Sequence, residues 1–532
     1  MKLKRKLEFG DLSVGGSVSI IKPPEDIVVP MCAHGPMVLF RRSFGVKAED
    51  QKKTEEAKND TLKAHAEVQK ERVNRNEIII ESKTKKTDEE TLTAKKKPKN
   101  ENMYQTENEH TKEFFSCSAY RDRKSCPCFY SLDDKKLKNS EIMKVKAEIA
   151  KSQNQIYDHK AMYKNFKELA LIDAANRKFC ADCNLFIKRV GTSCGTKDVL
   201  DFDHEKCSEG GKLVVGIPEN MIANPLKLFT TLSNKTAEAQ FYFSTKCLNF
   251  VSSIAEKYRS VLGIGAPSVT FKLIETVSQL NYSGKLKNVF CLNIDWKLCQ
   301  IFPPKNFAQF NLCNQHFFTE LGEKAFEKFV KSASFIDESS ENVEKTLVIC
   351  DPPYGVKLEL FSRLVNFLNS KLACDIIIGM PYFMQSGFEK TEALKSFAMS
   401  DYRVEYEGHR IYSGGKKRGS PARFFTNILL KKLVLPSDES YRLCAKCVKY
   451  VHKDNKHCKI CKDCTTKDGP TYVHCKKCKT CVKPTFWHCE KCANCHLEDS
   501  KCRIIDENKS KRKKEHKIKK PKAKKAKLLK SQ

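Results

Sequence analysis

Between residues 240 and 435 the chain alternates short, continuous apolar runs with segments whose apolar positions recur every three or four residues. The first have the length of buried strands and the second the period of amphipathic helices. In order, "SVLGIGAPS" predicts a strand and a turn, "VTFKLIETVSQL" a helix, "KNVFCLNID" a strand, "EKAFEKFVKSA" a helix and "KTLVICDPPYG" a strand. "LELFSRLVNFLNSKLA" then predicts a helix, "CDIIIGMPYF" a strand, "EKTEALKSF" a helix, and "YRVEYEGH" and "FFTNILL" two closing strands. Such alternation predicts a Rossmann-like, doubly wound α/β domain over residues 236–435 with a mainly parallel sheet, which binds ligands at the carboxyl ends of its strands.

Other stretches lack that pattern. Residues 47–112 are rich in Lys, Glu, Asn and Thr and almost devoid of aromatics, so burial cannot offset their ordering entropy and a disordered charged insertion is expected. Residues 503–532, with "KSKRKKEHKIKKPKAKKAKLLK", predict a basic tail that serves solubility or acts as a nucleic-acid arm and nuclear or nucleolar targeting signal. Across the chain 97 Lys and Arg face 65 Asp and Glu, a formal charge of +32 that favours a polyanionic partner, nucleic acid first. A membrane partner is not expected. Lys2 stands where myristoylation requires glycine, "MKLKRKLEFGDLS" lacks an apolar core, and no window nears the roughly 18 apolar residues of a spanning helix. The expectation is a soluble intracellular chain.

The 26 cysteines change the picture. In such a chain they are expected to be metal ligands or core thiols rather than disulfides. Cys247, Cys291, Cys299, Cys350 and Cys374 stand in apolar segments and read as core residues. Twelve others lie between Cys444 and Cys502, in a repeat whose units are "HCKICKDC", "HCKKCKTC" and "HCEKCANC". If each zinc takes a Cys-x-x-Cys pair, the His that leads the next unit and a unit's last Cys, three sites follow. They are Cys444/Cys447/His457/Cys464, Cys458/Cys461/His474/Cys481 and Cys475/Cys478/His488/Cys495, with Cys489, Cys492, His496 and Cys502 left for a fourth. This Cys/His-rich domain, residues 440–502, has little else to form a core and should fold only with metal.

Two more metal modules are expected. "MCAHGP" and "EFFSCSAYRDRKSCPCFY" offer Cys32, His34, Cys117 and Cys126, with Cys128 competing for the last place. They resemble a GRF zinc finger, here spread over residues 28–46 and 113–134 and lacking the usual Asn-Gly-Arg before "FFSC". Within residues 175–210, "RKFCADCNLF" supplies Cys180 and Cys183 and "DFDHEKC" supplies His204 and Cys207, a Cys-x2-Cys…His-x2-Cys finger with Cys194 a bystander.

Within the α/β domain, "LGIGAP" places Gly263 and Gly265 after the first strand, where a cofactor could approach the backbone or the chain merely turns. Asp295 ends the second strand in "LNIDWK", placed to take a ribose hydroxyl pair or to cap a helix. Together they describe a site for a dinucleotide or S-adenosylmethionine. Asp351-Pro352-Pro353-Tyr354 then discriminates, because it resembles motif IV of the amino-methyltransferases. An exocyclic amine of a base is a poor nucleophile, its lone pair being delocalised into the ring. The Asp351 carboxylate and Pro352 carbonyl would accept its two hydrogens, the prolines would fix their direction, and Tyr354 would stack on the extruded base.

The order of GRF-type finger, Cys-x2-Cys…His-x2-Cys finger, Asp-Pro-Pro-Tyr domain and His-Cys repeat closely resembles the ribosomal RNA adenine-N6 methyltransferases of the zinc finger CCHC domain-containing protein 4 family. So do "CSAYRDRKSC", "FNLCNQHFF", "GSPARFFTN", "YRLCAKC" and "CTTKDGPTYVHC". The resemblance implies a class I methyltransferase domain, methyl transfer from S-adenosylmethionine to adenosine N6 in large-subunit rRNA, several structural zinc ions, ribosome-biogenesis partners and a nucleolar or cytoplasmic location. The cofactor contacts it implies are Phe241, Tyr242, Phe243, Ser244, Asp295, Cys313, Asn314 and Asp351. Ser268 stands where the family carries Arg after the proline of the glycine turn, and the family's zinc knuckle after Cys502 is missing. Residues 408–425, with Arg410, Lys416, Lys417, Arg418 and Arg423, are expected to form a cationic loop that gates the pocket or clamps phosphate. Rival readings are amine methylation of DNA or of a protein glutamine, and an RNA-binding adaptor whose methyltransferase fold is inactive.

Overall fold

The computed structural model describes residues 16–44, 110–120, 123, 125–133, 158–187, 210–229, 241–334, 344–407, 420–436, 440–467 and 471–497. It divides into two units, Met1–Gln153 and Asn154–Gln532.

In the first unit, Gly16–Ile20, Val38–Phe44, His110–Ser116 and Phe129–Ser131 form an antiparallel sheet in that order. One face carries the aromatic row Phe40, Phe114 and Phe129, with ring centroids 5.8 and 5.0 Å apart. The other packs Leu39 and Phe115 against Cys32, Cys117 and Cys126. The Gly16–Ile20 strand lies outside the span expected for this finger, and residues 110–112, assigned to the insertion, belong to the third strand. Pairing across the sheet, which neither segment's composition reveals, draws both in.

The second unit is built on an eight-stranded sheet. From one edge its strands run His316–Phe317, Phe307–Asn311, Asn288–Asn293, Ser260–Ile264, Thr346–Cys350, Cys374–Pro381, Ala422–Thr426 and Ala398–Arg403. The inner five are parallel, and the remaining pairings are antiparallel. Alternate residues feed two cores. Val261, Leu347, Ile349 and Ile377 face helices Thr245–Ala255 and Pro267–Val277, while Leu262, Val348, Cys350 and Ile378 face Glu320–Ala333 and Leu358–Asn369. Burial on both faces is why these strands read as unbroken apolar runs.

Four expectations are corrected. "EKTEALKSF" is a 3₁₀ turn, Glu392–Leu394, preceded by the short helix Gln385–Lys390; Thr391 is extended and its hydroxyl donates to the Gly387 carbonyl, which ends the helix. "YRVEYEGH" contributes only its first two residues to the strand Ala398–Arg403, because Glu405 to Glu407 bond to Tyr242 and Ser244 instead. Phe307–Asn311 and His316–Phe317 extend the sheet where no strand was expected. Arg423 does not belong to a cationic loop: it is buried in the strand Ala422–Thr426, donating to the carbonyls of Ser420, Ala422 and Lys467 at 2.9, 2.8 and 2.9 Å. The loop's other four basic residues lie outside the described residues.

A helix, His159–Leu171, and a three-stranded sheet of Lys178–Cys180, Leu185–Ile187 and Leu213–Val215 pack beside this domain. Gln300 ties them on: its side chain accepts from Phe186 N at 2.9 Å and donates to the Asn184 carbonyl at 2.8 Å. At the other edge, Asp401 accepts from His452 N and Asn455 Nδ2 at 2.8 and 2.7 Å, holding the first Cys/His hairpin against the last strand. Among the described residues no helix is long and apolar enough to cross a membrane.

Candidate active site and metal centres

The strand Thr346–Cys350 ends beside Ser260–Ile264, and Asp351 N donates to the Ile264 carbonyl at 3.0 Å. Gly265, at φ +66°, makes the fit possible, since a Cβ there would stand 2.8 Å from the Asp351 carbonyl oxygen. Gly263 lets the helix Pro267–Val277 pack down on the strand, where a Cβ would strike Thr270. Two glycines thus bring the Asp-Pro-Pro-Tyr backbone and a helix N-terminus to one sheet end.

The Asp351 carboxyl accepts from the Tyr406 hydroxyl at Oδ1, 2.7 Å, and the Tyr354 hydroxyl donates to that of Tyr406 at 2.8 Å. Burial pushes the Asp351 carboxyl up to about 8, and the Tyr406 hydrogen bond lowers it. By area the residue is half-buried, and Pro353 close beside it is exposed. Pro352 is buried and Tyr354 half-buried. Burial, and then the Asp351 charge, hold the Tyr406 phenol far above its ordinary value.

Tyr406 was not found from the sequence. It is bridged to Phe243, and its ring lies 5.5 Å from that of Phe243 and 6.2 Å from that of Phe241. Phe241, Tyr242 and Phe243 therefore stand along the same segment as Tyr406. Ser244 caps the helix Thr245–Ala255, its hydroxyl accepting from Cys247 N at 3.3 Å.

Asp295 is buried and opens a 3₁₀ turn, Trp296–Gln300. Its Oδ1 accepts from Lys297 N at 3.1 Å and its Oδ2 lies 3.4 Å from Lys297 Nζ. Burial raises its pKa and Lys297 opposes the rise. Beside it Asn293 Oδ1 accepts from Asp295 N, while Asn293 Nδ2 and the Tyr242 hydroxyl are buried and have no hydrogen-bond partner among the described residues. Two orphaned polar atoms by a buried acid fit a ligand rich in hydroxyls and ring nitrogens, such as the adenosine half of S-adenosylmethionine. Cys313 and Asn314 follow the strand Phe307–Asn311; Cys313 N donates to Asn311 Oδ1 and His316 N to Asn314 Oδ1, at 3.0 and 3.2 Å. Ser268 lies half-buried in the first turn of the helix Pro267–Val277.

Among the described residues the candidate metal ligands converge in five groups, with ligand atoms in each within 4.8 Å of one another. They are Cys32/His34/Cys117/Cys126, Cys444/Cys447/His457/Cys464, Cys458/Cys461/His474/Cys481, Cys475/Cys478/His488/Cys495 and Cys489/Cys492/His496. Cys128 is not in the first group. In the third, Cys461 Sγ lies 3.2 Å from His474 Nδ1 and 3.6 Å from Cys481 Sγ. A tetrahedral zinc with its usual bond lengths requires separations of about 3.5–3.8 Å. Among the described residues neither buried ring nitrogen of His496 has a geometric hydrogen-bond partner, an environment a metal ion would complete. Cys502, His204 and Cys207 lie outside the described residues.

Cys180 and Cys183 are described, and their turn matches the other Cys-x-x-Cys turns. Asn184, Val448, Lys462, Lys479 and Ala493, each directly after the second cysteine, all have φ between 51° and 54°. In three of these turns the second cysteine's N–H donates to the first cysteine's sulfur at 3.4 Å, the Cys180–Cys183 turn among them. The Cys180–Cys183 turn thus shares its backbone conformation with the Cys-x-x-Cys turns of the C-terminal groups.

Residues 234–411 match the family described as "Probable N6-adenine methyltransferase". The chain is 30% identical over 378 residues to the rRNA N(6)-adenosine-methyltransferase ZCCHC4 of Homo sapiens, covering 68% of this chain and 68% of that protein. It is 32% identical over 362 residues to the ZCCHC4 of Xenopus laevis, covering 66% and 69%. With an α/β methyltransferase domain flanked by Cys/His clusters on both sides, the chain belongs to the ZCCHC4 family of rRNA N(6)-adenosine-methyltransferases.

Proposed function

We propose that the chain methylates the N6 amine of an adenosine in rRNA, using S-adenosylmethionine, and that its target lies in large-subunit rRNA. The observation that carries the reading is Asp351-Pro352-Pro353-Tyr354 standing at the carboxyl end of the central strands, with an enclosed carboxyl and an aromatic ring side by side. When bound, S-adenosylmethionine supplies a methyl group on a sulfonium.

The chain's own residues do the rest. Asp295, Asn293 and Tyr242 would hold the cofactor's adenosine, with Phe241 and Phe243 beside it and Cys313 and Asn314 at the next strand end. Gly263, Gly265 and Ser268 belong to the turn where its remainder would enter. Asp351 and the Pro352 carbonyl accept the two N6 hydrogens, so the nitrogen lone pair leaves conjugation and points at the methyl carbon. The proton shed by N6 as it takes the methyl group would pass to Asp351, whose raised pKa suits it to take one, while the electron pair of the broken carbon–sulfur bond would stay with the departing sulfur. Tyr354 stacks on the base and excludes water. The zinc clusters hold RNA in place through their basic surroundings, and work with ribosome-biogenesis factors in the nucleolus or cytoplasm belongs to the same reading.

The test is transfer of labelled methyl to total rRNA by wild type and Asp351→Ala, followed by digestion to nucleosides and mapping to subunit rRNA. Label in N6-methyladenosine that vanishes with Asp351→Ala supports the reading. S-adenosylmethionine binding without any transfer, or label in another base, overturns it.

A further inference from the structure

Asp351 can do its work only if one carboxyl oxygen faces the incoming amine. Among the described residues its only side-chain hydrogen bond is the one from Tyr406 to Oδ1, which leaves Oδ2 for a substrate. The bond crosses bare backbone, since a Cβ at Gly379 would stand 2.8 Å from Oδ1 and 3.4 Å from the Tyr406 hydroxyl. An ionised carboxylate can only accept, so the single Tyr406 proton must point at Asp351, and its oxygen can then receive the Tyr354 proton. Tyr406 itself is clamped: Ser244 N donates to the Glu405 carbonyl at 2.9 Å and Glu407 N to the Tyr242 carbonyl at 2.8 Å.

We propose that Tyr406 is a positioning residue for methyl transfer: its hydroxyl anchors Asp351 through Oδ1 so that Oδ2 meets the target amine, and it tethers the Tyr354 ring at the same point. The proposal rests on the reaction given above. One hydroxyl thereby aligns the amine acceptor, the stacking ring and the aromatic strip of the cofactor side. The titratable groups around the carboxyl are the Tyr406 and Tyr354 hydroxyls, the Cys247 thiol on the helix Thr245–Ala255 and the Cys350 thiol at the strand end. Among the described residues no cation acts on it, so the Tyr406 hydrogen bond is what opposes burial in keeping it ionised.

The test is the single-turnover rate of methyl transfer to rRNA between about pH 5 and pH 9 for wild type, Tyr406→Phe and Tyr354→Phe, with S-adenosylmethionine affinity measured by calorimetry. For Tyr406→Phe the acid limb is expected to move up by about one pH unit, with the rate at neutral pH falling about tenfold and recovering in alkali. Cofactor affinity should change by less than about twofold, because no cofactor contact is removed. Tyr354→Phe should move the limb the same way by less. An unmoved limb in Tyr406→Phe, whether the rate is unchanged or lowered equally at every pH, overturns the inference. Should Tyr406→Phe lose cofactor binding through misfolding, Tyr354→Phe decides by the same criterion. A wild-type chain that transfers no methyl at any pH defeats the proposed reaction and this inference together; an active wild type beside an unmoved limb defeats this inference alone.

Discussion

At the scale of single residues the site sets two demands against each other. Asp351 must be ionised to accept amine hydrogens, yet burial pushes it up to about 8. The folded chain therefore keeps a proton between 3.8, the ordinary value, and about 8 that the unfolded chain has released, and this group's contribution to stability falls as pH rises through that window. Asp351→Asn is neutral throughout, so it should melt above wild type by a margin that is small near about pH 5 and widens toward pH 8. A margin independent of pH in a melting series would contradict this. Gly379→Ala places a methyl group on Asp351 Oδ1, and a displaced acceptor should cost about 100-fold in turnover. Cofactor affinity is the control there and should hold. Asp351 and Tyr354 were legible because their chemistry is contiguous in the chain. Tyr406 was not: its partners lie 52 and 55 positions away, and only the pairing of Phe243 with Tyr406 brings them together.

At the scale of elements the Cys-x-x-Cys turn repeats with one conformation. The left-handed position after the second cysteine suits Asn184 but not the β-branched Val448, which sits there at φ 51°. Val448→Asn should relieve about 1 kcal/mol, read as roughly fivefold tighter zinc retention at the first C-terminal site against a competing chelator. Unchanged retention would mean that the turn is not strained. Ligand groups were legible for the same reason as Asp351, since spacing within a turn fixes which sulfurs meet. The strands buried on both faces were legible as apolar runs. The edge strands His316–Phe317 and Gly16–Ile20 were not, because at an edge the partner's register decides what pairs. Ser244, as the residue before a helix, has a cap to make, its hydroxyl accepting from Cys247 N.

At the scale of the whole molecule the chain carries a surplus of 32 positive charges, and its C-terminal Cys/His block starts from a fixed place on the sheet. The first Cys/His hairpin is fastened to the sheet by Asp401, by Arg403 N donating to the Tyr441 hydroxyl at 3.0 Å, and by Arg423 reaching the Lys467 carbonyl. The later hairpins are linked to their neighbours through adjacent ligand residues. A chelator should accordingly strip the ions nearest Cys489 first and that of Cys444 last, visible as ordered loss of metal by native mass spectrometry and ordered loss of hydrogen-exchange protection. Simultaneous loss would contradict a neighbour-dependent array.

Consecutive residues in that array serve different clusters: His457 and Cys458, His474 and Cys475, His488 and Cys489, Cys495 and His496. With no spacer between one ion's ligand and the next, the block works as a gauge. On the function proposed above, it would set a reach, measured from the last strand of the sheet, between where RNA is gripped and where a base meets Asp351. One glycine inserted between His474 and Cys475 would keep every ligand and lengthen that reach, so the adenosine chosen would change before the capacity to methylate did.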